Sequence, residues 1–392
     1  MNPTERRTTA ALAGVFALRM LGMFLVLPVF VLYADDLAGA TPVLVGLALG
    51  IYGLTQGVLQ IPFGLASDRW GRKPLLVSGL VIFAAGSAVA ALAPDIGWTI
   101  AGRALQGAGA IAAVLTALLA DQTRDEFRTR AMAVIGISIG ASFAVSLLLG
   151  PVLGAVIGVR GIFWLTAGFA VAGIAVVLWL VPAEGHAAQR RRSDADAVPT
   201  DLSAVVSDRS LWPLFGGIFV LHFLLTALFV ALPPAIEAFG IAHGRVYLPV
   251  LLGSVVLMLP AVLVADREPW RRWLLPVAVA LVATALAGLA AAHSIFPALV
   301  VLLLMFFAGF NFLEAHLPAA VSRAATTERR GAALGVYSSC QFLGAFAGGL
   351  VGGAAYGAAG SMGGFAIGAA MAAVWLLGCL AGTQRRVPSR AA

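Results

Sequence analysis

Charge is what this chain has least of. Only 11% of its 392 residues are Asp, Glu, Lys or Arg, under half the share of an ordinary water-soluble domain. Such a composition excludes a globule with a charged shell. Lysine occurs once, at Lys73, directly after Arg72. No Gly-Lys pair therefore exists to cradle nucleotide phosphates, and any work must be driven by a gradient or by another subunit. The five histidines never form an H-E-x-x-H run, so nothing marks an intramembrane enzyme, a metal site or a cofactor. Both cysteines, Cys340 and Cys379, fall inside apolar stretches and read as packing residues rather than a disulfide.

What the chain has instead is oil. Hydrophobic residues make up 61%, and mean hydropathy is +0.97. Apolar stretches recur twelve times, from near 10–31 to near 365–382. About twenty residues of helix cross the ~30 Å hydrocarbon layer. Lipid offers no partner for a bare amide, so each stretch must be helical. The expected fold class is an all-α, multi-pass membrane protein with twelve transmembrane helices. The first stretch is about twice the length of a signal-peptide core and carries Arg19, so it reads as a retained span.

A net charge of +7 invites a nucleic-acid partner, but placement argues against one. All but four of the 25 basic residues fall in the N-terminus, the C-terminus and five alternate loops; Arg19 and Arg103 lie in spans, and Arg160 and Arg245 face the other side. That asymmetry assigns the basic side, and with it both termini, to the cytoplasm. The expected partner on this evidence is the lipid bilayer, not nucleic acid.

One long period runs through the chain. Ala66-Ser67-Asp68-Arg69 matches Val264-Ala265-Asp266-Arg267; Arg130-Ala131-Met132-Ala133 matches Arg330-Gly331-Ala332-Ala333; Gly150 and Gly154 match Gly349 and Gly353. Near-constant offsets predict two pseudo-symmetric six-helix bundles of the same orientation. The expected domains are 1–182, a cytoplasmic linker at 183–210, and 211–392 with a short tail. The linker, with Arg190, Arg191 and Arg192 among several aspartates, reads as a hydrated tether, or alternatively as a docking site.

The loop after the second span reads Gly64-Leu65-Ala66-Ser67-Asp68-Arg69-Trp70-Gly71-Arg72-Lys73. Asp68 at a membrane boundary suits a helix N-terminus, where unpaired amides favour a carboxylate. This run resembles the signature loop of the major facilitator superfamily, G-x-x-x-D-R-x-G-R-[RK], at every fixed position. The resemblance implies the major facilitator fold, a monomer in a bacterial inner membrane with a small-molecule substrate and protons as partners, and a cytoplasmic latch between its two bundles in the outward-open state. Gly64, Asp68, Arg69, Gly71, Arg72 and Asp121 would form it, with Asp68 capping the eleventh span near Gly331 and Arg72 pairing with Asp121. The second-half copy from Asp266 to Arg272 lacks the equivalent of Gly71, so its latch role is open.

The fourth span carries Arg103-Ala104-Leu105-Gln106-Gly107-Ala108-Gly109. An arginine inside a span costs at least ~2.5 kcal/mol on insertion scales and must find a partner or water. The run is similar to the superfamily's fourth-helix motif of proton-coupled members; snorkelling to the outer interface is the other reading. The fifth span has Gly136 and Gly140, then Gly150-Pro151-Val152-Leu153-Gly154, a spacing that opens a packing groove, with a proline able to bend the helix. Gly150, Pro151 and Gly154 resemble the motif of the superfamily's proton-linked exporters, although Ala155 and Ser146 replace two of its glycines. Leu18 to Met23, Gly50 to Gln56 and Gly335 to Gly344 look like the branch of YajR-like drug exporters.

Few polar groups remain inside spans. Arg19 is mid-helix in the first. His222 and Thr226 share a face of the seventh, and Phe307, Phe310, Asn311 and Glu314 share a stripe of the tenth. Glu314 is the one carboxylate clearly within a span, able to load and release a proton. It reads equally as the fixed partner of an arginine, and His222 as a hydrogen-bonded core residue. The resemblance implies a cavity lined by the first, fourth, seventh and tenth spans. Together these point to proton-coupled export of small amphipathic or cationic compounds by alternating access, with Arg19, Arg103, Gln106, His222, Asn311 and Glu314 as coupling or cavity residues. Import of a small nutrient by the same fold is the alternative.

Overall fold

The computed structural model describes residues 1–392 except 35–36, 183–201, 266, 268–269, 271–272, 327–328 and 386–392. The linker arginines Arg190, Arg191 and Arg192, the loop residue Asp266 and the tail residues Arg386 and Arg390 lie outside the described residues.

The described chain is helical nearly throughout. The elements are α1 (Pro3–Phe24), α2 (Phe30–Ala34), α3 (Pro42–Trp70), α4 (Arg72–Leu92), α5 (Ile96–Ala108), α6 (Ala112–Asp121) and α7 (Asp125–Leu180). After a short α8 (Leu202–Ser207) come α9 (Trp212–Glu237), α10 (His243–Val264), α11 (Leu274–Ala292), α12 (Phe296–Ala324) and α13 (Arg330–Arg385). Among the described residues, nine helical segments are long and apolar enough to cross a bilayer. Two of them, with 55 and 52 residues, are far longer than one ~30 Å crossing needs. Both break internally. In α7 the break is Gly158, with φ 68°; in α13 it is Ala359 and Gly360, the latter with φ 60°. Only glycine enters the left-handed region without a steric penalty, which is why each reversal sits on one.

Two compact units form, Met1–Ala40 with Leu47–Val206, and Thr41–Gly46 with Ser207–Ala392. In the first, α1 packs along α7. Ser142 Oγ donates to the Ala17 carbonyl at 3.2 Å and Ser146 Oγ to the Leu21 carbonyl at 3.3 Å. One turn further, a Cβ on Gly150 would meet the Leu25 carbonyl at 2.7 Å, and one on Gly154 would meet Val29 at 3.2 Å. The four-residue rhythm 142, 146, 150, 154 is thus one face of α7, polar then bare, shaped to the stretch where α1 unwinds before α2. Gly136 and Gly140 lie off that face with nothing within 4 Å of an added Cβ, so they open no groove. Nor does Pro151 break the helix; it sits inside α7, and the reversal waits for Gly158. The fourth apolar stretch is two helices rather than one, interrupted at Gly109–Ile111.

Helix ends leave four bare carbonyls each. At the end of α7 they are met from elsewhere: Lys73 Nζ donates to Leu178 and Val181 carbonyls at 3.2 and 2.8 Å, and Arg7 Nη2 to that of Trp179 at 3.4 Å. The chain's one lysine is a C-terminal cap. At the start of α1, Asn2 and Glu5 form a reciprocal capping box, each accepting a backbone N–H of the other at 2.7 Å. Glu5 also accepts from the Arg124 guanidinium at 2.9 Å and from its amide at 3.2 Å. These donors, Arg124 foremost and then the Asn2 amide, hold the Glu5 carboxyl at about 2 against an ordinary 4.5. A depressed carboxyl stabilises above its unfolded value and loses that contribution as pH falls through the folded one. The wild-type melting temperature should therefore exceed that of Glu5→Gln by a constant margin above pH ~5. That margin should shrink between 4.5 and about 2; thermal melts across this range in detergent measure it.

Candidate functional site

Three polar constellations interrupt the apolar helices, two in the first unit and one in the second.

At one end of α3, Gly71 takes φ 92° and separates α3 from α4. That sharp turn brings Arg72 back against the preceding helix. Its Nη2 is 2.5 Å from Asp68 Oδ1, its Nη1 donates to Ser67 Oγ at 2.5 Å, and its Nε lies 3.3 Å from Asp121 Oδ2 at the end of α6. Arg72 is mostly covered, 13% exposed on its side chain. It forms a hub joining α3, α4 and α6, which exceeds an isolated surface pair in expected strength because its geometry is fixed from three sides. Gly64 is not crowded: a Cβ there would sit 3.6 Å from Ala113, an ordinary contact. Its carbonyl matters instead, accepting from Ser67 Oγ at 2.6 Å. Arg69 is exposed in the last turn of α3, where a cation complements the helix dipole.

Deeper in the same unit, two arginines flank Tyr52. Arg103 is 2% exposed. It does not reach for the interface. Nε donates to the Ala48 carbonyl at 3.2 Å, Nη2 to Leu49 at 3.4 Å, and Nη1 to Gln106 Oε1 at 2.8 Å; Gln106 Nε2 in turn donates to Ser87 Oγ at 2.8 Å. Gln106 at i+3 is thus the neutral partner that lets α5 hold a cation. Arg19, 1% exposed, donates through Nη2 to Gln56 Oε1 at 2.6 Å and to the Gly109 carbonyl at 3.1 Å. The break after α5 frees that carbonyl. The guanidinium also lies over the Tyr52 and Phe83 rings at 5.8 and 5.4 Å, a cation–π contact strengthened by desolvation. Its Nε and Nη1 have no hydrogen-bond partner.

The second unit holds the carboxylate. Glu314 on α12, His222 on α9 and Gln341 on α13 meet. Gln341 Nε2 lies 2.8 Å from His222 Nε2 and 3.4 Å from Glu314 Oε1, and His222 Nε2 is 3.8 Å from Glu314 Oε2. The Phe310 ring is 6.0 Å from the imidazole. Asn311, on the same helix α12, donates to Ser254 Oγ on α10 at 3.0 Å. Glu314 has 40% of its side chain accessible, while Oε2 is covered and without a hydrogen bond. Among the described residues no arginine lies within ion-pair distance of it. The carboxylate is therefore not locked by a permanent cation. His316 turns elsewhere and stacks on Phe312 at 5.3 Å.

Residues 12–310 match the Major Facilitator Superfamily. The chain belongs to that superfamily. It is 45% identical over 391 residues to the inner membrane transport protein YajR of Escherichia coli, covering 99% of this chain and 85% of that one. A shorter stretch of 118 residues is 37% identical to the multidrug resistance protein MdtH of Yersinia enterocolitica, covering 30% of this chain and 29% of that one. Among solved structures, a bacterial homologue of the human lysosomal transporter Spinster superposes with a TM-score of 0.75 at 13% identity over 100% of both chains, which speaks to fold alone. As a superfamily member the chain is an inner-membrane, multi-pass secondary transporter of small molecules, not an enzyme.

Several members of these clusters, Tyr52, Gln56, Ser67, Ser87, Ser254 and Gln341 among them, did not stand out as site residues from sequence, and neither did Tyr337, which lies close enough to Glu314 to feel its charge. Tyr337 and Gln341 are one turn apart on α13, and a glutamine within an apolar span is itself a signal that a partner waits on another helix.

Proposed function

We propose that this transporter exports small amphipathic or cationic compounds in exchange for protons, by alternating access. Twelve spans would be arranged as six-helix bundles at 1–182 and 211–392, joined by a cytoplasmic linker at 183–210, with both termini inside. Glu314 carries the proposal. It is a carboxylate within a 29-residue apolar helix, partly accessible, and faced by a histidine and an amide rather than an arginine. A cationic substrate and a proton would compete for it, and competition for one group is the simplest basis of antiport. Arg19, Arg103 and Gln106 then supply fixed positive charge and its neutral support, and Arg72 with Asp68, Asp121 and Gly71 supplies the cytoplasmic latch. Gly150 and Gly154, flanking Pro151, supply the close α1–α7 fit that exporters of this kind use. The likeness to a multidrug resistance protein supports export as the direction and drug-like compounds as the class.

Energy suffices. One proton moving down 100 mV releases ~2.3 kcal/mol, enough for a roughly 50-fold gradient of a neutral compound; for a cation exchanged one for one no net charge moves, and a pH difference of about 1.7 units supplies the same drive. In a strain deleted for its own drug pumps, expression of the chain should lower steady-state ethidium fluorescence, and a protonophore should restore it. Unchanged fluorescence under the protonophore would exclude proton coupling; raised accumulation in intact cells would instead point to import.

A further inference from the structure

We propose that Gln341 is a positioning residue that fixes His222 in its Nδ1–H tautomer and keeps the imidazole from sharing the proton carried by Glu314. The inference rests on the proton-coupling role of Glu314 and refines it.

The geometry leaves few choices. Gln341 Nε2 is 2.8 Å from His222 Nε2 and 3.4 Å from Glu314 Oε1. An amide nitrogen has two hydrogens to give and no lone pair with which to accept. It can therefore lie 2.8 Å from the imidazole nitrogen only if that nitrogen is bare. Amide orientation is ordinarily ambiguous, but here the same amide atom also faces a carboxyl oxygen. Reversing the amide would set oxygen against oxygen whenever Glu314 is ionised. Nitrogen inward satisfies both neighbours at once. A neutral imidazole whose Nε2 is bare carries its hydrogen on Nδ1. That atom makes no hydrogen bond of good geometry, although the Ile218 carbonyl one turn earlier on α9 interacts with the ring.

The consequence falls on the proton. Glu314 Oε2 is 3.8 Å from His222 Nε2, beyond hydrogen-bond reach, and the lone pair it would use is already occupied by Gln341. A proton arriving at Oε2 stays there. The other groups facing the pair do not offer a second acceptor for it. Tyr337, on α13 with Gln341, places a phenol close enough to feel the Glu314 charge, but its hydroxyl has no hydrogen bond. Asn311 and Ser254 are engaged with one another. Cys340, next to Gln341, is a half-buried free thiol. From α11, Leu274–Ala292 brings no titratable side chain. His222 is then not a proton carrier in this arrangement. It is the fixed acceptor that holds Gln341 over the carboxylate, and the cluster carries one proton, on Glu314.

Nitrogen NMR of the full chain in lipid nanodiscs, labelled with 15N-histidine, tests this without a substrate. The His222 signals are identified by their loss in His222→Gln. At pH 7 the wild-type protein should show a protonated Nδ1 and a bare Nε2 at His222. In Gln341→Met, which keeps bulk and removes the amide, the bare Nε2 signal should disappear as that nitrogen takes a proton. A protonated Nε2 in the wild type would overturn the inference, as would a bare Nε2 surviving in Gln341→Met. Should that variant not fold, the wild-type tautomer decides alone. A bare wild-type Nε2 combined with proton-independent transport would remove Glu314 from coupling and leave the Gln341 assignment intact.

Discussion

Glu314→Gln abolishes proton-driven accumulation of ethidium in inverted membrane vesicles. The substitution keeps shape and hydrogen bonding: a glutamine oxygen at the Oε1 position still accepts from Gln341. It removes the charge, and with it the ability to bind a proton or the cation that competes for the same group. One proton exchanged for one ethidium cation moves no net charge, so the driving force is the pH difference, and about 1.7 pH units (~2.3 kcal/mol) support a gradient of roughly 50-fold in wild type; the variant should lose the whole of this driven component. Dye flux down its own gradient, no longer tied to protons, should persist with weaker apparent affinity, because the fold is unchanged while the carboxylate that attracts the cation is gone. Both vesicle measurements use the same fluorescence signal, with and without a protonophore. Driven accumulation undiminished in Glu314→Gln would remove this carboxylate as the coupling site.

Gly348→Val should prevent the second unit from folding. Gly344, Gly348 and Gly352 lie at four-residue spacing on α13, and α9 crosses directly over them. A Cβ on Gly344 would come within 2.8 Å of the Phe219 Cα, on Gly348 within 2.7 Å of the Phe223 Cα, and on Gly352 within 2.9 Å of the Ala227 Cα. These are backbone atoms, which cannot swing aside as a side-chain tip can. Overpacking of a core costs ~1–3 kcal/mol even where side chains can adjust, and here two helices must separate along their length. In lipid such small-residue seams are what lets helices associate at all. The folded yield of Gly348→Val, read by size-exclusion profile of a fluorescent fusion, should fall at least ~10-fold, the equivalent of ~1.4 kcal/mol. Gly378→Val on the same helix is the control, since nothing lies within 4 Å of a Cβ there; it should leave the profile unchanged. Equal profiles for the two variants would contradict the seam.

The contrast between these glycines shows where sequence was readable and where it was not. That the chain is a helical membrane protein followed from hydropathy alone, because a span must satisfy every amide internally and so must be long and apolar. Gly71 was legible from its place in a recognisable loop, and its positive φ gives the physical reason. But Gly136, Gly140, Gly150, Gly154, Gly344 and Gly348 look alike on paper, all at four-residue spacing. Only the direction from which a neighbour approaches separates the seams at 150–154 and 344–352 from the open face at 136–140. Helix breaks escape the sequence for a similar reason. Pro151 announces a bend yet sits inside α7, its missing N–H tolerated there, while the Gly109–Ile111 interruption falls where α4 crosses, a Cβ on Gly109 meeting the Gly79 carbonyl.

The polar sites divide the same way. Glu314, His222, Arg19 and Arg103 were visible because any charge in a span is costly and must be answered. Most of their partners were not, Gln106 apart. Arg103 is answered by Gln106 on its own helix and by carbonyls from α3; Arg19 by Gln56, by a carbonyl that an unforeseen break exposes, and by two aromatic faces. Gln341 joins His222 to Glu314 across 119 and 27 positions of sequence. Such long-range pairings are fixed by how helices rotate against each other, which apolar periodicity specifies poorly when lipid and core are equally oily.

Proton movement in proteoliposomes with a pH dye sealed inside is the most direct measurement of coupling. With purified chain facing both ways and ethidium added outside, inward dye movement should be matched by protons leaving the lumen. The interior should become more alkaline in wild type and stay unchanged in Glu314→Gln. Dye entry that leaves lumen pH untouched, or that draws protons in with it, would contradict an antiporter coupled through that carboxylate.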